Sequence, residues 1–234
     1  MTMLQISQIH QHYGSSHTLR GITLSVERGQ CLALLGRNGV GKTTLLKCLM
    51  GVVPASAGTM LFNGCDITRW SPHRRAAAGI AYVPQGREIF AHLSVEENLR
   101  MGMASLPAAR ARHIKDDIYQ LFPVLQDMRQ RRGGDLSGGQ QQQLAIARAL
   151  LQEPRLIIFD EPTEGIQPSI IKDIEQVIRL LRARGDIAIL LCEQYFDFAH
   201  ALADHYVVMA RGEVVAHGDQ SSMGGTDVRR HLAV

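Results

Sequence analysis

The chain has 234 residues, 45% of them hydrophobic and 20% charged, and 25 basic against 22 acidic side chains leave a formal charge of +3. This is an ordinary globular composition, with enough length to bury a large core as one domain with a subdomain. So small a charge gives no footprint for nucleic acid or an anionic membrane surface, and no apolar run approaches the length of a bilayer span.

Met1 to Tyr13 mixes Gln, His and Ser with apolar residues, unlike the charged-then-apolar order of a leader. A soluble cytosolic protein is expected. The cysteines Cys31, Cys48, Cys65 and Cys192 form no C-x-x-C pair and read as reduced, mostly buried small hydrophobes. His10 and His12 can share a strand face, but no further ligands cluster nearby, so a metal site there is a weak alternative.

Residues 4–13 and 17–28 carry alternating apolar positions, Leu4, Ile6 and Ile9, then Leu19, Ile22, Leu24 and Val26. They predict two half-exposed antiparallel strands joined by the turn at Gly14-Ser15-Ser16. Cys31 to Leu35 is continuously apolar, as in a strand covered on both faces. It runs into Gly36-Arg37-Asn38-Gly39-Val40-Gly41-Lys42-Thr43, and a helix follows from Lys42 to about Met50.

Residues 58–63 and 80–83 read as further strands. From about Ser94 to Gln130 the period becomes helical, first through Val95, Leu99 and Met103, then around Ile114, Ile118, Leu121 and Leu125. This block ends at the basic turn Arg131-Arg132-Gly133-Gly134 and is expected to form a subdomain. Buried strands follow at 156–159 and 187–191. Between them Ile170, Ile174, Val177, Ile178 and Leu181 mark one face of a helix that Gly185 ends. Alternation of buried strand and amphipathic helix predicts a parallel α/β sheet. From about Gln220 the periodicity fades, and a loose tail is expected. Arg74-Arg75 and Arg129 to Arg132 read as solvated surface, and Trp70 as packing at a domain edge.

The glycine-rich segment matches the phosphate-binding loop G-x-x-x-x-G-K-[ST], in its proper context between strand and helix. Glycines let consecutive N–H groups point inward, and the helix adds the positive end of its dipole. Gly36, Asn38, Gly39 and Gly41 would cradle the phosphates. Lys42 would reach the β/γ-phosphates, Thr43 would ligate Mg²⁺, and Thr44 would bond a further phosphate oxygen. The alternative is an incidental turn. Asp160, at the end of the strand beginning at Leu156, can hold the Mg²⁺ hydration shell, and Glu161 can polarise the attacking water. The bland reading is that both merely end a strand before Pro162.

Leu136-Ser137-Gly138-Gly139-Gln140 resembles the signature of ATP-binding cassette (ABC) proteins, which touches nucleotide bound to another protomer. With the phosphate loop before it and Asp160-Glu161-Pro162-Thr163 after it, the order is that of ABC ATPase subunits over nearly the whole chain. The resemblance implies a P-loop NTPase (RecA-like) α/β core, residues 1–90 and 152–220, with an antiparallel β edge sheet. Residues 91–151 would form an inserted α-helical subdomain carrying the signature, and 221–234 the tail.

It also implies ATP hydrolysis with Mg²⁺ at a dimer interface. Gln85 corresponds to the glutamine that senses Mg²⁺ and contacts the permease side. Tyr13 corresponds to the aromatic that stacks on adenine, with a core-packed strand aromatic as the alternative. Ser137, Gly138, Gly139 and Gln140 would hold the γ-phosphate of the partner's ATP. Residues 87–98 would meet the coupling helices of a membrane subunit. The implied partners are a second ABC ATPase subunit (homodimer or heterodimer), integral membrane permease subunits and, indirectly, a periplasmic solute-binding protein, with no nucleic acid. The implied place is peripheral, on the cytoplasmic inner face of the bacterial plasma membrane.

Two departures narrow the resemblance. Gln194 stands where the family's switch histidine is usual, and can donate a hydrogen bond but carry no charge. Glu164-Gly165-Ile166-Gln167 stands where many members have Ser-Ala-Leu-Asp. Together, Thr163 to Ser169 and Glu193 to Ala199 are similar to the branched-chain amino acid and urea uptake ATPases, most of all the urea type. Chromosome-associated members carry long coiled coils, absent here. Translation-associated members usually hold two cassettes, and a metabolic kinase would lack 136–140. An exporter ATPase is the nearest competitor.

Overall fold

The computed structural model describes residues 1–111 and 113–232. Its elements begin with β1 (Thr2–Tyr13), β2 (Ser16–Glu27), β3 (Cys31–Leu35), α1 (Lys42–Met50), β4 (Ala57–Phe62) and β5 (Cys65–Asp66). Then come α2 (Pro72–Ala77), β6 (Ile80–Val83), α3 (Val95–Gly102), α4 (Asp116–Leu121), α5 (Pro123–Asp127) and α6 (Gly138–Leu150). The last third holds β7 (Leu156–Asp160), α7 (Pro168–Arg184), β8 (Ala188–Glu193), α8 (Phe196–Leu202), β9 (His205–Ala210), β10 (Glu213–Asp219), α9 (Gln220–Met223) and α10 (Thr226–Leu232).

Two sheets form. The antiparallel one is ordered β2-β1-β4-β5, the other β10-β9-β3-β8-β7-β6. In the second, β6 to β9 and β3 run parallel and β10 adds an antiparallel edge. β3, β7 and β8 are buried along their whole lengths. Alternate residues supply two cores. Ile157, Phe159, Ile189 and Leu191 pack with α6 and α7, whereas Leu34, Ile158 and Leu190 pack with α1 and the antiparallel sheet. This double covering is why those strands read as unbroken apolar runs.

The spacing of Ile6 and Ile9 breaks strict alternation because the β1–β2 register shifts between them, with Gln8 in a left-handed conformation at φ 50°. The helical block from 94 to 130 is not two long helices. α3 ends at Gly102, and Pro123, which cannot continue a helix, separates α4 from α5.

Three expectations change. Arg75 is not solvated surface: it is 2% exposed, and its guanidinium donates to the carbonyls of Cys48 (2.8 Å), Leu49 (2.6 Å), Thr68 (3.0 Å) and Trp70 (3.0 Å). The first two are carbonyls of the last turn of α1, where Cys48 O also accepts from the Gly51 N–H, so Arg75 caps the helix that starts at the phosphate loop. Arg74 lies over the Trp70 ring at 3.9 Å. The stretch after Gln220 is not a loose tail, since Met223 and Val228 are buried against Tyr206, Val208 and Ala199. Finally, β9 and β10 were not anticipated, although β9 extends the parallel sheet beside β3.

Candidate active site

Parallel pairing aligns the carboxyl ends of β3, β6, β7 and β8 along one sheet edge, with Leu35 opposite Glu193, Asp160 opposite Cys192 and Val83 opposite Phe159. Loops leaving these ends therefore converge, as is general for open α/β sheets. The first is the 36–44 loop. Gly36 and Gly41 have φ of 155° and 109°, and a Cβ on Gly36 would lie 2.6 Å from the Met209 carbonyl oxygen. No side chain caps α1 at Gly41, so its first N–H groups stay free for an anion.

Lys42 is buried, and each of its three ammonium hydrogens has an acceptor. Nζ lies 2.6 Å from Gly36 O, 3.1 Å from Arg37 O and 3.1 Å from Glu161 Oε1. Glu161 occupies the left-handed region at φ 49°, unusual for a side-chain-bearing residue, and its N–H is held by Cys192 O at 2.9 Å. Its other carboxylate oxygen meets Gln85 Nε2 at 3.4 Å and Gln194 Nε2 at 3.5 Å. The structure thus gathers Lys42, Gln85 and Gln194, from three separate segments, around the Glu161 carboxylate.

Asp160 sits beside this group. Tyr82 O–H donates to its Oδ2 at 2.8 Å, while Oδ1 is buried with no hydrogen-bond partner among the described residues. Burial raises its pKa above the usual carboxylate value, partly offset by the Tyr82 hydrogen bond. A buried carboxylate oxygen without a donor, at the sheet edge from which the loop leading to Thr43 also departs, suits a hard cation with its waters. The residues present fit Mg²⁺.

Gln85 is also gripped by Glu164 at 2.8 Å, and the buried Glu193 accepts four hydrogen bonds from the 163 and 194–195 loops. Sequence reasoning did not place Tyr82, Glu164 and Glu193 at the site; the legible signal was Glu193 itself, an acid closing an apolar strand. Tyr13 is 50% exposed at the end of β1, which removes the core-packed alternative.

The 136–140 segment lies elsewhere. Ser137 caps α6 in a capping box, accepting from Gln140 N at 3.3 Å while its own N–H donates to Gln140 Oε1 at 2.9 Å. A Cβ on Gly139 would come within 2.8 Å of Ile170, so close packing on α7 requires glycine there. Ser137, Gly138, Gly139 and Gln140 line a cavity with Gly165, Gln167 and Ile170, and no residue of the 36–44 loop borders it.

The ABC transporter family model matches residues 19–164. The chain belongs to the ABC transporter family. Over 215 residues the cassette is 37% identical to the high-affinity branched-chain amino acid transport ATP-binding protein BraG of Pseudomonas aeruginosa, covering 92% of each chain. It is 32% identical to the lipopolysaccharide export system ATP-binding protein LptB of Escherichia coli K12, over 93% of this chain and 91% of the relative. A solved ATP-binding subunit of an ABC transporter superposes with a TM-score of 0.87 at 26% identity, covering 99% of this chain and 100% of the other.

The cassette is therefore an ATPase that binds ATP, on an ABC ATPase fold of mixed α/β sheets, and a transporter subunit of the kind that works with membrane permeases. Among the described residues no helix is long and apolar enough to cross a membrane.

Proposed function

We propose that the cassette is the motor of an importer, turning ATP and water into ADP and phosphate between two cassettes and thereby driving solute uptake through attached permeases. The observation that carries the chemistry is the convergence of Lys42, Gln85 and Gln194 on the Glu161 carboxylate beside Asp160. The γ-phosphate takes the place of Glu161 on the Lys42 ammonium, which frees Glu161 to accept a proton from the attacking water. Gln194 and Gln85 orient that water and the phosphate by hydrogen bonding alone. Gly36, Asn38, Gly39, Gly41 and Thr44 bind phosphate oxygens, and Tyr13 stacks on adenine. Thr43, Gln85 and Asp160 would hold Mg²⁺, which supplies charge neutralisation between the β- and γ-phosphates.

The outward cavity of Ser137 to Gln140, remote from its own phosphate loop, supports closure on nucleotide carried by a second cassette, identical or not. The importer reading places the motor on the inner face of the plasma membrane, with a periplasmic solute-binding protein outside. For the solute, the loops at 163–169 and 193–199 favour urea or a short amide. Similarity to BraG over 92% of the chain favours a branched-chain amino acid as a second reading, and similarity to LptB keeps export as a third. Uptake of labelled urea and labelled leucine in cells lacking this chain separates them. Loss of urea uptake alone supports the first reading, loss of leucine uptake alone the second, and loss of neither overturns the importer assignment.

A further inference from the structure

Glu193 is 1% exposed, at the carboxyl end of β8, and is not used by the chemistry above. Its two oxygens are divided between two loops. Oε1 accepts from Thr163 N (3.2 Å) and Thr163 Oγ1 (2.8 Å), while Oε2 accepts from Gln194 N (3.0 Å) and Tyr195 N (3.2 Å). The loop tied to Oε1 carries Glu164, which holds the Gln85 amide at 2.8 Å. The loop tied to Oε2 carries the Gln194 side chain. Gln85 and Gln194 are the two amides that meet Glu161 Oε2. One buried carboxylate thus braces both flanks of Glu161, and among the described residues no cation pairs with it; its partners are hydroxyl and backbone N–H donors.

We infer that Glu193 is a positioning residue, a four-point clamp that locks the loop after Asp160-Glu161-Pro162 to the Gln194 loop so that both amides are held on the Glu161 carboxylate. Only a group with two acceptor oxygens serves both loops. An amide has one acceptor and would turn its NH₂ toward donors on one side. A hydroxyl or alkyl side chain is too short or apolar to bridge them. Because Gln194 has no charge to draw it toward phosphate, its placement depends more on such a brace than a charged imidazole would. Burial, the larger effect, raises the Glu193 pKa, and the hydrogen bonds from Thr163, Gln194 and Tyr195 offset part of that rise.

The inference rests on the assignment of Glu161 as the base, and the test separates the two. In the full-length protein, Glu193→Gln loses two charge-assisted hydrogen bonds on one arm, and kcat falls at least about tenfold while KM for ATP changes less than about twofold. Gln194→Ala lowers kcat in the native background but adds almost nothing on top of Glu193→Gln, because the brace and the amide act as one unit. Glu193→Asp, which keeps both acceptors, recovers part of the rate. Native-like turnover of Glu193→Gln alongside an inactive Glu161→Gln overturns the clamp and leaves the base standing. Full additivity of the Glu193 and Gln194 losses also overturns it. Native turnover of Glu161→Gln overturns the base assignment itself, and the clamp with it. Equal losses in ATP affinity and kcat would mark Glu193 as a scaffold residue only.

Discussion

Lys42 Nζ and Glu161 Oε1 stand 3.1 Å apart with both side chains almost wholly buried, joining the phosphate loop to the strand that ends at Asp160. The pair is 119 residues apart in sequence and exists because β3 and β7 flank β8 in the parallel sheet. Each charge is the other's ion-pair partner inside a buried site.

Removing one member strands the other. Lys42→Met leaves a buried carboxylate uncompensated and destabilises the nucleotide-free cassette by about 3–5 kcal/mol. Adding Glu161→Gln to that background restores most of the loss. Urea denaturation midpoints of the two single variants and the double variant measure this, and simple additivity would show that the two groups do not interact. The Lys42 variant also loses nucleotide affinity; undiminished affinity would contradict the phosphate-loop assignment.

Glu161→Gln keeps the size and one acceptor of the side chain but cannot take a proton. ATP binding is retained and turnover falls by about 100- to 10,000-fold. Equilibrium binding of labelled ATP together with steady-state phosphate release reads both quantities.

Arg75 is the stability test. Arg75→Met takes the guanidinium away from the Leu49, Thr68 and Trp70 carbonyls and leaves Cys48 O with the Gly51 N–H alone, with a loss of about 3 kcal/mol or more. Arg74→Met removes only an exposed cation over Trp70 and costs about 0.5–1 kcal/mol. Thermal unfolding of the two variants side by side checks the contrast, and equal effects would refute the helix-capping role.

The elements legible from sequence were those whose side chains face the same environment along their length. Cys31–Leu35 and Leu156–Asp160 are covered on both faces, α7 has one apolar stripe, and each announced itself. Arg75 did not, because an arginine that caps a helix through backbone carbonyls has the same letter as one in water. β10 was missed because it alternates half-buried and exposed positions; β9, buried from Tyr206 to Met209, is an apolar run of the same kind as β3 and was overlooked. In the site, the phosphate loop and Asp160-Glu161 were readable as spacing. The Tyr82–Asp160 bond and the Glu193 clamp were not, because they join residues that only the sheet register brings together.

Asp160 gives a pH prediction with a definite sign. Burial raises its folded pKa, so between the unfolded and folded values the native state binds the proton more tightly and stability declines as pH rises through that window. Wherever the carboxylate is ionised, its burial is a net burden. Asp160→Asn therefore raises the melting temperature at pH 7, by an amount that shrinks as pH is lowered toward the carboxylate range, while Mg²⁺-dependent turnover is lost. A variant less stable than the native protein at pH 7 would show that Lys42 and Tyr82 outweigh the desolvation.

The central claim is that nucleotide on the phosphate loop is gripped by the 136–140 stretch of another cassette. Arg37 is exposed on that loop, and Cys65 is the exposed native cysteine, so Arg37→Cys in a Cys65→Ser, Glu161→Gln background can carry a photoreactive maleimide. Irradiation of the assembled transporter with ATP, followed by peptide mapping of the captured segment, is the direct measurement. Capture of the signature segment of a second cassette, dependent on ATP, is the predicted result. Capture of the chain's own 136–140 segment, or of no cassette segment at all, would contradict it.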